Sequence, residues 1–312
     1  MKTIITGVKP TGRPHIGNYF GAMKQMVDLQ KDYKVYVMAV DYHALISVHN
    51  AREMREDTKD LILDYIAIGL DPTKSVIFKQ SEMSEHTELA WIFNCLTTMP
   101  YLMRAHAYKD AEAKNKEVNV GLFCYPVLMA ADILMYDIDI VPVGQDNKQH
   151  IEIARDMARK FNLTFGEIFK EPEEFIMENV AIVPGTDGRK MSKSYNNTIP
   201  LFSTDEEIEK AVLSIVTDSS GERPQNVFAI HSLIRDKNEL EKVYDENKGK
   251  YKILKELLIE DLKNFVRPMR EKRAEIAKDE SLVQKVLAEG KEKAREVASP
   301  KMQQVKRAIG VS

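Results

Sequence analysis

The stretch TIITGVKPTGRPHIGNYFGAM, residues 3–23, runs from a short β-branched segment through a turn into a helical pattern. From Lys9 onward it holds Gly12, Gly17 and Gly21, Pro10 and Pro14, and a single histidine, His15. A strand that ends near Gly7 and hands over to a helix in this way opens an α/β unit. Glycine lets a flat or charged group approach the backbone, and a helix start offers unpaired N–H groups with partial positive charge. His15 and Asn18 stand where they can donate to an anion. An ordinary strand-to-helix turn would carry the same signature, so the remaining segments decide.

The alternation recurs downstream. KVYVMAV at 34–40, SVIF at 75–78, DIDIVPV at 137–143 and NVAIV at 179–183 are β-branched runs. Helical patterns lie between the first of them, at about 18–31 and 51–69, the second closing on GLDP, a glycine stop followed by proline. That order predicts an α/β fold with a doubly wound, mostly parallel sheet and ligands at the carboxyl ends of its strands. From about 88 to 136 the chain is helical and apolar, which predicts an insertion between the two halves of the sheet. Beyond residue 203 no strand pattern follows. The expected division is therefore a nucleotide-binding domain over 1–203 and an all-helical domain over 204–312.

At 312 residues and 35.7 kDa, the chain is long enough to bury a sizeable core without staples. Cys95 and Cys124 form no CxxC pair, and a reducing compartment is expected. The start of the chain lacks a secretion signal and no apolar run nears the roughly 18 residues of a membrane span, so a cytoplasmic protein with no membrane partner is expected. The net charge of −3 hides an asymmetry: from Lys250 onward 16 Lys and Arg face 10 Asp and Glu, a net of +6, while 29 against 38 leave −9 for the rest. A basic end suits a polyanionic partner, although a solvated helical face would look the same. His43, His49, His86, His106, His150 and His231 show no ligand spacing such as HExxH, and no metal site is expected. The single tryptophan, Trp91, reads as core or subunit interface.

GTDGRKMSKSYNN, residues 185–197, changes the balance. Lys190 and Lys193, with Met191 between them and Ser192 and Ser194 alongside, give one loop two ammonium groups and two hydroxyls, a set that grips a polyphosphate and stabilises charge as it shifts. PHIGN at 14–18 followed by KMSKS at 190–194, on a split α/β framework, resembles the two hallmark motifs of class I aminoacyl-tRNA synthetases. The resemblance implies a Rossmann-like fold and attack of an amino-acid carboxylate on the α-phosphorus of ATP, with loss of pyrophosphate. No protein nucleophile is required. His15, Asn18, Lys190 and Lys193 would align the reactants and neutralise the transition state. The ATP site implied by it comprises Lys9, Pro10, Thr11, Gly17, Asn18, Gly144, Gln145, Asp146, Ile182, Lys190, Met191, Ser192, Lys193 and Ser194. Mg2+ is expected on the pyrophosphate side.

YPVLMAADILMYDIDIVPVGQDNKQHIEIARDMARKFN, residues 125–162, is similar to the tryptophan- and ribose-binding region of bacterial tryptophanyl-tRNA synthetases, as are TGVKPTG, VDYHAL and LAWIFNC. Tyr125, Met129 and Asp132 are spaced four and three apart, so a helix starting near Pro126 turns Met129 and Asp132 to one side, while Val141 and Val143 alternate on a strand. They predict an apolar slot with one carboxylate at its floor. Asp132 would accept the indole N–H, and a ligand without that donor would strand a buried acceptor at a cost of about 1 to 3 kcal/mol. Gly7, His43 and Asn147 join this slot by the same resemblance, and Gly144, Gln145 and Asp146 can equally cap the following helix.

Departures from the family pattern are Lys9 in place of glutamine, Ile5 in place of an aromatic, Asn147 in place of glutamine, and Ala111 where relatives carry a lysine, with Lys109 nearby. Two cysteines do not suffice for a conventional iron–sulfur cluster. The resemblance implies a homodimer, with the apolar insertion as its surface, and a helical domain that meets the anticodon of the tRNA for tryptophan. The alternatives are a tyrosyl-tRNA synthetase, a noncatalytic RNA-binding paralogue and a small-molecule nucleotidyltransferase of the same superfamily.

Overall fold

The computed structural model describes residues 1–114, 117–143, 148–176, 183–217 and 223–311. Five short strands, β1 (Thr3–Val8), β2 (Lys34–Ala39), β3 (Val76–Lys79), β4 (Ile140–Val143) and β5 (Glu173–Ile176), pair in parallel in the order β3-β2-β1-β4-β5. Val35, Val37 and Ala39 enter one apolar layer, and Tyr36, Met38 and Val40 the other. A parallel strand buried on both faces has to be apolar throughout, which is why KVYVMAV reads as a continuous run. The order reverses between β1 and β4. There, beyond the strand ends, a doubly wound sheet opens its ligand crevice.

Four of the five expected strands are present. The run at 179–183 lies outside the described residues except for Val183, and β5 comes from EEFI, whose two glutamates hide it from a hydrophobic pattern. The helix expected over 18–31 is split into α1 (Ile16–Asn18), a π-helical turn (Tyr19–Met23) and α2 (Lys24–Leu29). Such turns concentrate at functional sites because the extra residue re-aims the side chains before it. α3 (Asp41–Ala44) follows β2, and α4 (Ala51–Ala67) is capped by the Asn50 side chain and stops before Gly69, whose φ of +108° only glycine adopts comfortably.

The insertion between β3 and β4 holds α5 (Ser84–Leu96), α6 (Met99–Leu102), α7 (His106–Ala113) and α8 (Val120–Leu134). α8 starts a turn and a half earlier than the sequence suggests: Asn119 caps it, accepting the Leu122 N–H at 2.8 Å, and Pro126 lies inside it. α9 (Lys148–Phe165) precedes β5. After it, among the described residues, come only helices: α10 (Asp205–Leu213), α11 (Gln225–His231), α12 (Lys237–Glu246), α13 (Tyr251–Ile276) and α14 (Leu282–Ile309). No described helix is long and apolar enough to cross a membrane.

α14 returns to the sheet. Its Val283 and Val286 join the apolar layer on one face, its Ala294, Ala298, Met302 and Val305 the layer on the other, and Gly290 lies between them against the backbone of Ile77 in β3. A Cβ at Gly290 would fall inside the Ile77 carbonyl, so only glycine allows the helix to pass the edge strand β3 this closely.

Candidate active site

The two motifs, far apart in sequence, are clamped together by backbone. Ile16 N–H donates to the Ile199 carbonyl at 3.0 Å and Leu201 N–H to the Pro14 carbonyl at 2.9 Å, so the segment after KMSKS runs antiparallel to PHI. Gly17 sits at the seam. A Cβ there would lie 2.9 Å from His15 Nδ1 and 3.3 Å from the Met191 Cβ, which explains glycine between the imidazole and the lysine-bearing loop. Met191 is buried, and its N–H donates to the Val183 carbonyl at 2.9 Å.

His15 and Asn18 form a reciprocal cap: Asn18 N–H donates to His15 Nδ1 at 3.2 Å, and His15 N–H to Asn18 Oδ1 at 3.1 Å. With Nδ1 accepting, the neutral ring carries its proton on Nε2 and is a donor there. Burial, with the Lys193 charge nearby, pushes its pKa down to about 4. The Asn18 amide keeps its Nδ2 hydrogens as donors.

Lys193 Nζ donates to the carbonyls of Thr11 and Gly12, at 2.7 and 2.8 Å. Gly12 has a φ of +82°, a conformation that glycine tolerates. Partial desolvation in this seat lowers the Lys193 pKa, while Asp57 and Asp64 pull it up. Lys190 is exposed. Ser192 and Ser194 hydroxyls meet at 2.9 Å. Buried Asn197, which motif reading passed over, braces the loop: its Oδ1 accepts the Ser192 N–H at 2.8 Å and its Nδ2 donates to Asp187 Oδ1 at 2.6 Å and to the Lys190 carbonyl at 3.2 Å. The signal was the paired asparagines closing the motif, of which Asn196 adopts φ +51°.

Across the sheet crevice lie the residues assigned to the slot. Tyr125, Met129 and Asp132 share one face of α8; Tyr125 OH bonds to His150 Nε2 at 2.7 Å, and Met129 is half-buried. Asp132 is 3% exposed and takes a hydrogen bond from His43 Nε2 at 2.8 Å. Burial alone would raise its pKa, but hydrogen bonds from His43 and His86 outweigh that and hold it well below the usual carboxylate range. Val141 is buried in the same apolar layer as Ile5. Gly7, the penultimate residue of β1, lies against β2, where a Cβ would fall 2.9 Å from both the Met38 carbonyl oxygen and the Val40 side chain. Lys9 reaches over the Tyr125 ring at 5.9 Å, and desolvation lowers its pKa. Pro10 is buried beside it. The Val143 side chain, Gly144, Gln145, Asp146, Asn147 and Ile182 lie outside the described residues.

His43 and Tyr125 form one wall of a 230 Å³ cleft whose other lining includes Ile46, Trp91, Gly121 and Cys124. Trp91 is therefore no core residue; it is 70% exposed on α5. Among the described residues no group of three His, Cys, Asp or Glu could hold a metal ion.

Residues 1–291 match the family model for tRNA synthetases class I (W and Y). The chain is 48% identical over its whole length to the tryptophan–tRNA ligase of Fusobacterium nucleatum, covering 98% of that protein. It superposes on the crystal structure of the Campylobacter jejuni tryptophanyl-tRNA synthetase, solved with ADP and tryptophan, with a TM-score of 0.91 at 42% identity and 99% coverage of both chains. A tyrosyl-tRNA synthetase from Archaeoglobus fulgidus, 19% identical with a TM-score of 0.69, shares the fold alone. With both signature motifs joined across one crevice and this similarity along its entire length, the chain belongs to the tryptophanyl-tRNA synthetases of class I.

Proposed function

We infer that the protein is a tryptophan–tRNA ligase that activates L-tryptophan with ATP and then charges its tRNA. In the first step a carboxylate oxygen of tryptophan bonds to the α-phosphorus as the bond to the pyrophosphate oxygen breaks. In the second, a ribose hydroxyl of the terminal adenosine takes the aminoacyl group and releases AMP. His15 Nε2–H and the Asn18 amide donate to phosphate oxygens, and the ammonium groups of Lys190 and Lys193 neutralise the departing pyrophosphate. Lys193 has a third N–H for this while two remain on the Thr11 and Gly12 carbonyls. Pro10, Thr11, Gly17, Met191, Ser192 and Ser194 shape the nucleotide cradle, with Gly144, Gln145, Asp146 and Ile182 assigned to it from sequence. Gly7, His43, Tyr125, Met129, Asp132, Val141, Val143 and Asn147 hold tryptophan. Lys9, placed between the two groups of residues, pairs with the substrate carboxylate or a phosphate.

The cradle presents lysines, a histidine and hydroxyls, a donor set that suits Mg2+ arriving on the triphosphate better than a cage built by protein. When bound there it offsets phosphate charge. The C-terminal helices, net basic from Lys250, suit tRNA. Exposed Leu45, Trp91 and Val120 beside the cleft suit a second copy of the chain in a homodimer, and a cytoplasmic location accords with the reaction.

One observation carries the choice of amino acid: a buried Asp132, hydrogen-bonded to His43, on the face of α8 that also carries Tyr125 and Met129. Amino-acid-dependent ATP–pyrophosphate exchange over all twenty amino acids tests it. Exchange should respond to tryptophan alone, and Asp132→Ala should lose the preference over phenylalanine. Unchanged selectivity would remove Asp132 from this role.

A further inference from the structure

Asp132 is held by more than His43. His86 of α5, wholly buried, places Nδ1 2.5 Å from Asp132 Oδ1 and Nε2 2.7 Å from the Tyr136 hydroxyl. Gln80, also wholly buried, accepts the backbone N–H groups of Tyr42 and His43 on Oε1, at 3.1 and 3.4 Å. That fixes its amide so that Nε2 donates to both carboxylate oxygens at 2.9 Å. The directions of the remaining bonds follow. An anionic Asp132 needs an N–H from His86 Nδ1, which leaves Nε2 with a lone pair, and the phenol proton of Tyr136 points to it. Burial raises the Tyr136 pKa far above its ordinary value, so the hydroxyl keeps that proton.

We propose that His86, directed by Tyr136, is a positioning residue for tryptophan selection: it holds Asp132 as an acceptor-only carboxylate, so that the ligand must bring an N–H. The proposal rests on the reading of Asp132 given above. A carboxylate offers about four acceptor sites, and His86, His43 and the shared Gln80 amide leave room for about one more donor. Were His86 unable to donate, Asp132 could rotate away or take up a proton; in the second case its own O–H would satisfy ligands that only accept. The pocket would then stop distinguishing an indole from a ring of the same shape without N–H.

The test compares kcat/KM in ATP–pyrophosphate exchange for L-tryptophan and for β-(3-benzothienyl)-L-alanine, in which sulfur replaces the indole N–H. The ratio should fall roughly tenfold to a hundredfold in His86→Leu and about threefold to tenfold in Tyr136→Phe, with KM for ATP unchanged in both. His86→Asn, whose amide N–H can take the place of Nδ1, should keep most of the ratio. If both substrates weaken equally and the ratio is unchanged, His86 serves structure only and the proposal is overturned. If His86→Leu does not fold, Tyr136→Phe, which lacks one hydroxyl, decides alone. Asp132→Ala, which leaves no side-chain acceptor, separates the two levels. A ratio that survives that change removes Asp132 as the reader and takes the proposal with it. A ratio that collapses there but persists in the His86 and Tyr136 variants overturns the proposal alone.

Discussion

At His15 the local hydrogen bonds decide the chemistry. Nδ1 is committed to the Asn18 N–H, the ring is buried, and Lys193 lies close, so all three effects favour the neutral Nε2–H form. Its resonance in a proton NMR titration should show a midpoint near 4 in place of 6.5. The sign follows: a histidine whose folded pKa is depressed contributes stability that is full above its unfolded value and is lost as pH falls through 6.5 toward 4. A midpoint at the ordinary value would show that the imidazole can be protonated while facing Lys193, and would undo its assignment as a neutral donor. PHIGN and KMSKS were legible because each is a contiguous run whose residue types state their chemistry. Gln80, His86 and Asn197 were not, because their meaning depends on partners that only the fold supplies; in sequence His86 reads only as a candidate metal ligand.

Between elements, a close polar clasp joins α4 to α13. Arg273 Nε lies 2.5 Å from Asp64 Oδ1, and its Nη2 3.0 Å from Asp60. Asp64 is 2% exposed, and burial pushes its pKa up to about 6 although Arg273 pulls it down. Desolvation alone would loosen the proton of the guanidinium, but the same carboxylates together outweigh it and hold that proton more firmly. Both pKa values are raised, which favours a neutral carboxyl but a charged guanidinium: desolvation prevails at the more deeply buried Asp64, and charge attraction at Arg273. A carboxyl with a raised folded pKa binds its proton more readily in the native state, so its contribution to stability diminishes as pH rises from 3.8 through about 6. Arg273→Gln should therefore cost about 3 kcal/mol in urea unfolding at about pH 8, where it strands a buried anion, and much less near pH 5, where the carboxyl is neutral. An equal loss at both pH values would show that Arg273 acts by packing on Phe202, which it covers at 5.4 Å. Element type was readable wherever periodicity was strong, as in β2 and α4. It failed where packing overrules pattern: the π-helical turn at Tyr19–Met23, the early start of α8, and β5 with its paired glutamates.

For the whole molecule, sequence divides the chain into a strand-bearing part and a helical part at about residue 203, because the strand pattern stops there. In packing, the last helix belongs with the first strands. α14 supplies residues to both apolar layers and passes β3 at Gly290, and Lys306 and Ser299 bond to Glu88 and Glu85 of α5. A chain shortened to end after Asp279 should thus lose ATP–pyrophosphate exchange along with tRNA charging, with exposed apolar surface detectable by dye binding; retained exchange would show that the sheet stands without α14. No periodicity could reveal this, since an amphipathic helix does not announce which surface covers its stripe. The same arrangement sets the timing of biosynthesis. Translation delivers β1 to β3 well before α14, so the nascent polypeptide carries an edge strand and two greasy faces that are incompletely covered until α14 emerges. Ribosomes that stop before α14 would release a sticky fragment fit for chaperones or proteases, so emergence of α14 separates a foldable catalytic unit from a degradable one.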